Sequence, residues 1–114
     1  DLRQRFEQVV VLVMSEFGRT VLENGTGGTD HGHGGAMLVL GGNVNGGRVL
    51  GDFPGLAEED RHEGRDLKVT TDFREVVAGV VEGHLKFSDS RSLFAGFSPS
   101  EASKSRLALL RRPT

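Results

Sequence analysis

The sequence predicts an α/β fold, a sheet flanked by helices, on three observations. Two unbroken apolar runs, residues 9–14 and 36–40, lack the alternation of a half-exposed strand and read as strands buried on both faces. Residues 72–85 repeat their apolar side chains at helical spacing. Between the second strand and this helix stands Asn45-Gly46, a strong type I′ turn signal that predicts a β-hairpin.

The totals bound what these elements can build. A chain of 114 residues is one domain at most. At this size roughly two-thirds of the unfolded surface is buried on folding, so a core is possible. The apolar fraction of 36% is low, the 17 glycines are many, and Trp and Tyr are absent, so Phe, Val and Leu must carry that core. This balance favours a piece that leans on other chain. The start at Asp1 without an initiator Met fits a processed product, a fragment or one part of a longer protein. The net charge of −2, with both signs interspersed, gives no basic footprint for a nucleic-acid partner. No apolar run approaches the roughly 18 residues of a membrane span, and no signal-peptide pattern lies within these residues. Without cysteine, disulfides and Cys-type zinc sites are excluded, and the compartment stays undecided.

In chain order, Leu2 and Phe6 lie four apart in a polar opening segment, one face of a short helix. The first strand, residues 9–14, ends in Ser15-Glu16-Phe17-Gly18-Arg19-Thr20. Ligands in open α/β sheets bind outside the carboxyl ends of strands, which places Glu16 and Arg19 well for a site; solvated loop charges are the plainer alternative. The second strand leads through Asn45-Gly46 into a return strand over residues 47–52, completing the hairpin. Residues 57–66 read as a charged surface loop in which a metal role for His62 is not expected, and residues 67–70 as a short half-exposed strand.

The helix over 72–85 presents Phe73, Val76, Val77, Val80, Val81, His84 and Leu85 on one face. Asp72 is its N-cap, with Glu75 three residues on in a variant of the capping box. Gly79 and Gly83 fall off the apolar face, each costing about 1 kcal/mol against Ala. His84 reads as a partly buried side chain near the helix end. Phe94 and Phe97 read as anchors pinning a loop, and residues 100–112 as a tail or short terminal element.

The chemistry is concentrated in residues 25–35, Gly-Thr-Gly-Gly-Thr-Asp-His-Gly-His-Gly-Gly, with six of the chain's 17 glycines and two of its four histidines. In an extended segment His31 and His33 share a face and can grip one cation. Asp30 points the other way unless the loop curls. Asp and His without Cys suit zinc or manganese. A flexible loop with incidental histidines is the alternative. No helix follows the glycines, so neither a phosphate loop nor a dinucleotide fingerprint fits. Ser15 is not in a nucleophile elbow. The sequon Asn24-Gly25-Thr26 is too common a pattern to weigh.

Taken together, Ser15-Glu16-Phe17-Gly18-Arg19-Thr20, Thr29-Asp30-His31-Gly32-His33-Gly34-Gly35 and Gly51-Asp52-Phe53-Pro54-Gly55-Leu56 resemble a large, uncharacterised bacterial family. Its members are sulfatase-like proteins of the alkaline phosphatase superfamily, often exported by the twin-arginine route. Asp66-Leu67-Lys68-Val69-Thr70-Thr71-Asp72-Phe73-Arg74 and Leu93-Phe94-Ala95-Gly96-Phe97 resemble its later blocks, so the likeness covers nearly the whole chain.

The resemblance implies that residues 1–114 form a single segment, the carboxyl-terminal portion of a larger alkaline-phosphatase-like domain. It implies a divalent metal (zinc, with manganese or calcium as alternatives) and a small-molecule sulfate or phosphate ester as substrate. His31, His33, Asp30 and Glu16 are the expected metal ligands, and Arg19 neutralises the substrate anion. In one alignment Asp30-His31-Gly32 matches the superfamily's Asp-His-Gly motif. In another Glu16 takes that motif's place and His31 or His33 matches the last His ligand. Glu16-Phe17 in place of Asp-His departs from the pattern. No catalytic nucleophile is identifiable in this chain. The expectation is therefore a hydrolase part, inactive alone and completed by the remainder of a parent chain, in a periplasmic or exported protein. A non-catalytic binding or assembly module is the competing class.

Overall fold

The computed structural model describes residues 2–100 and 107–112. They form a mixed α/β arrangement of short strands and one α-helix: β1 (Val10–Val13), β2 (Gly18–Arg19), β3 (His31–Gly32), β4 (Leu38–Gly41) and α1 (Phe73–His84). β1 pairs with β4, and β2 pairs antiparallel with β3. The chain divides into two compact units. Unit 1 comprises Asp1–Leu12, Val39–Leu50 and Asp72–Thr114, and unit 2 comprises Val13–Leu38 and Gly51–Thr71.

Every buried apolar side chain among the described residues belongs to unit 1: Val44, Val76, Ala78, Val80, Leu107 and Leu109. Helix α1 builds this core. Asp72 caps it, its carboxylate accepting from the backbone N–H of Arg74 at 2.9 Å, which satisfies one of the free amides of the first turn. The Arg74 side chain closes on the same carboxylate, with Nη2 2.6 Å from Oδ2. Glu75 does not close a capping box; its carboxylate accepts from the N–H of Ser100.

The apolar face of α1 differs from the sequence expectation. Val76 and Val80 are buried, but Phe73 and Leu85 are exposed. Gly79 and Gly83 are packing positions instead of gaps, because a Cβ at Gly79 would meet Leu109 and one at Gly83 would meet Leu110. The terminal leucines thus seat on the glycine side of the helix. They are held by backbone bonds from Asn45 N–H to Leu109 C=O (2.8 Å) and from Arg111 N–H to Asn43 C=O (2.8 Å). Arg48 adds a bond from Nη2 to the carbonyl of Ala108 at 2.8 Å. His84, half-buried, lies 3.0 Å from the Gln8 carbonyl through Nε2. Phe94 meets Phe73 edge-on at 5.8 Å, and Arg74 covers Phe97 at 4.3 Å.

Two strand expectations are corrected. β1 and β4 are not buried on both faces within this chain: half-buried and exposed residues alternate along each, with Val11, Val13, Leu38 and Leu40 exposed. The hairpin at Asn45-Gly46 does not form. A type I′ turn needs positive φ at both central residues, whereas neither Asn45 nor Gly46 has one, and residues 47–52 form no strand. β4 takes β1 as its partner, while Val44 bridges to Leu110. Residues 67–70 likewise form no strand, although Leu67 joins the backbone ladder of unit 2.

Candidate functional site

Unit 2 holds every residue expected at the site, and it is built differently from unit 1. Its buried residues include Gly18, Thr20, Gly34 and Asp66, with no buried apolar side chain among those described. Backbone hydrogen bonds between three segments do the work of a core. Arg19 N–H donates to Gly34 C=O (2.9 Å), Gly34 N–H to Leu67 C=O (2.6 Å), and Leu67 N–H to Arg19 C=O (3.1 Å). The main chains pass so close that a Cβ on Gly18 would fall on the Gly34 carbonyl, and one on Gly34 would lie 2.6 Å from the Leu67 carbonyl oxygen. Glycine at these positions permits close approach.

The β2–β3 ribbon pairs Gly18 with Gly32 and Arg19 with His31. Directly opposed residues of an antiparallel pair project on one side, so the ribbon sets a guanidinium beside an imidazole. Phe17 completes this group: its ring stacks on His31 with centroids 3.6 Å apart and planes at 21°, and the Arg19 guanidinium lies 5.7 Å from the same ring. Arg19 Nη1 also donates to the carbonyl of Thr29 at 3.0 Å, which ties the strand to the start of β3. Arg19, His31 and Glu16 are all exposed.

His33, exposed and two residues on, has a different neighbour. Its ring stacks on His62, centroids 4.0 Å apart and planes at 14°. His62 is delivered by a tight turn with positive φ at both Glu63 (53°) and Gly64 (70°). That turn is closed by Arg65 N–H to His62 C=O at 3.1 Å and by paired bonds between His62 and Asp66. This is the dihedral pattern of a type I′ turn, found here instead of at Asn45-Gly46. Buried Asp66 accepts from Arg65 Nε at 2.8 Å, and that bond holds the Arg65 guanidinium above its ordinary pKa. The Glu63 carboxylate lies 4.0 Å from His62 Nε2.

Asp30 faces the glycine-rich turn. Its carboxylate accepts from Asn24 Nδ2 at 3.0 Å, and its backbone N–H donates to buried Thr20 Oγ1 at 3.0 Å. Asn24 in turn gathers the glycines: its Oδ1 accepts from Thr26 N–H, Thr26 Oγ1 and Gly28 N–H. Asp30, His31 and His33 therefore lie on one segment but engage three partners, Asn24, Phe17 and His62.

The donor set has the right chemistry for zinc or manganese, yet as placed these side chains do not by themselves hold an ion. Among the described residues no group of three His, Asp or Glu converges on a point that could. Sequence reasoning missed Phe17, Asn24 and His62. Phe17 was signalled by its i, i+2 relation to Arg19, and Asn24 by the run of turn residues after it. His62 had no signal, because Glu-Gly is not a favoured pair for its turn.

No curated protein and no solved structure matches the chain. A family model does, over residues 1–95, a span that includes both ribbons, the glycine-rich loop and α1. The chain accordingly belongs to the family described as Protein of unknown function (DUF1501).

Proposed function

We propose that unit 2 is one wall of the anion site of a metal-dependent hydrolase of sulfate or phosphate esters, inactive by itself. The observation that supports it best is the pairing of Arg19 with His31 across the β2–β3 ribbon. A permanently charged guanidinium and an imidazole, both exposed beside the Phe17 ring, suit a tetrahedral ester anion. In this reading Arg19 neutralises the ester oxygens. His31, His33, Asp30 and Glu16 contribute ligands to a divalent ion, zinc by preference, that groups outside the described residues complete.

The remainder of a parent chain is the partner this requires. β1 and β4 would be strands of a larger alkaline-phosphatase-like sheet, covered on the face where Val11, Val13, Leu38 and Leu40 are exposed. Unit 2, held by backbone bonds with no buried apolar side chain among those described, is the kind of element that needs such support.

One observation favours a second reading, a non-catalytic binding or assembly module. His31 and His33 are both engaged in ring stacks, and Asp30 is bonded to Asn24. Elemental analysis of the purified protein separates the two. Near-stoichiometric zinc, manganese or calcium, lost on His31→Ala, is expected of the hydrolase wall. Metal-free protein whose stability is unchanged by chelator would sink that reading and leave the binding module.

A further inference from the structure

Asn24 stands at the head of the glycine-rich turn with its side-chain amide held at both ends. Three donors converge on Oδ1: Thr26 N–H at 3.0 Å, Thr26 Oγ1 at 2.9 Å and Gly28 N–H at 3.1 Å. Nδ2 donates to Asp30 Oδ1 at 3.0 Å. The next residue, Gly25, is exposed, with nothing within 4 Å of where a Cβ would stand. Its backbone N–H makes no hydrogen bond among the described residues. An amide nitrogen with no hydrogen-bond partner among the described residues thus follows a side-chain carbonyl that already carries a cradle of donors.

We propose that Asn24 is a self-modification site, deamidating through a succinimide formed with the backbone nitrogen of Gly25. In the first step Gly25 N bonds to Asn24 Cγ and gives its proton to solvent, while the carbonyl electron pair moves onto Oδ1. The three donors face the charge that develops there, the arrangement by which an oxyanion hole lowers a barrier. The Cγ–Nδ2 bond then breaks, and Nδ2 takes up a proton from solvent and leaves as ammonia. Water opens the ring to an aspartyl or isoaspartyl residue. Nothing is oxidised or reduced, and water is the one co-reactant.

The product changes the loop electrostatically. The Nδ2 that donated to Asp30 is replaced by a carboxylate, so a hydrogen bond becomes a contact between like charges. The turn that carries Asp30, His31 and His33 then loses its tie to position 24. This holds whether or not the site takes a metal.

Asn45-Gly46 is the internal control. It has the same dipeptide, but Asn45 Nδ2 reaches the Ala108 carbonyl at 3.4 Å, and no donor approaches its Oδ1 among the described residues. The test is incubation of the full chain at mildly alkaline pH with peptide mapping by mass spectrometry, following both asparagines in the same sample. Asn24 is expected to convert about tenfold faster than Asn45, with ammonia released in step. Thr26→Val, which removes the hydroxyl donor but keeps the backbone one, is expected to slow Asn24 by about tenfold and leave Asn45 unchanged. Conversion of Asn24 no faster than Asn45 in the unaltered chain overturns the proposal. So does an Asn24 rate that is unchanged or raised by Thr26→Val while Asn45 holds steady. A variant that raises both rates has lost its fold, and the comparison within the unaltered chain then decides alone.

Discussion

His33 and His62 lie ring on ring, with centroids 4.0 Å apart and planes inclined by 14°. Stacked at this distance, each imidazole lies in the shielding region of the other, so its ring-proton NMR resonances are expected upfield of the free-histidine position. His62→Ala should return the His33 ring protons to that position. Zinc added to the metal-free protein should also move these resonances if His33 is a ligand, since coordination through a ring nitrogen changes the shielding of the ring protons. Shifts that ignore both changes would argue against the stack and against ligation.

The close backbone approach in unit 2 makes an asymmetric prediction about its glycines. Gly18→Ala places a methyl group on the Gly34 carbonyl, and Gly34→Ala one 2.6 Å from the Leu67 carbonyl oxygen. Main chain cannot swing aside as a side chain can, so each is expected to cost roughly 2–4 kcal/mol. Gly25→Ala and Gly28→Ala, which meet nothing within 4 Å, should stay within about 0.5 kcal/mol. Denaturant titration of the four variants checks the contrast.

At the start of α1, the Arg74 guanidinium bonded to Asp72 holds that carboxyl below the usual carboxylate range. A depressed folded-state pKa stabilises the fold above the unfolded pKa, and that stability is lost as pH falls through the folded value. Asp72→Ala should cost about 1 kcal/mol near neutrality, chiefly through the lost cap. The ion pair itself adds little, because both side chains are 36% exposed. The difference between variant and unaltered chain should shrink below about pH 4. Urea unfolding at neutral and acid pH measures it.

Leu107 and Leu109 supply two of the buried apolar side chains of unit 1, and Leu109 seats against Gly79 of α1. Leu109→Ala is expected to destabilise by about 2–4 kcal/mol and to loosen amide protection along α1 in hydrogen exchange. Gly83→Ala presses a methyl to 2.6 Å from Leu110 Cδ1, the movable end of a side chain, so it should cost less than Gly18→Ala. Equal costs would mean that the terminal leucines are locked as firmly as the main chain of unit 2.

Local rules sufficed for some elements. The helix could be placed from the spacing of Val76 and Val80 and from the Asp72 cap, because both signals act within a few residues of chain. Glu16 and Arg19 after the first apolar run, and Asp30, His31 and His33 in the glycine-rich stretch, were equally plain in the sequence as positions along the chain. Tertiary structure decided what each of them touches. Phe17 for His31, His62 for His33 and Asn24 for Asp30 depend on how three segments pass one another, and the turn that presents His62 uses residues with no marked preference for it. It also overruled the Asn45-Gly46 hairpin, since backbone bonds from Asn45 to Leu109 and from Arg111 to Asn43 hold that turn in another conformation. The sequence by itself therefore determined where the helix lies and which short stretch gathers Asp30, His31 and His33. Side-chain pairing and the partner of each strand rest on contacts between distant segments, which short-range periodicity does not encode.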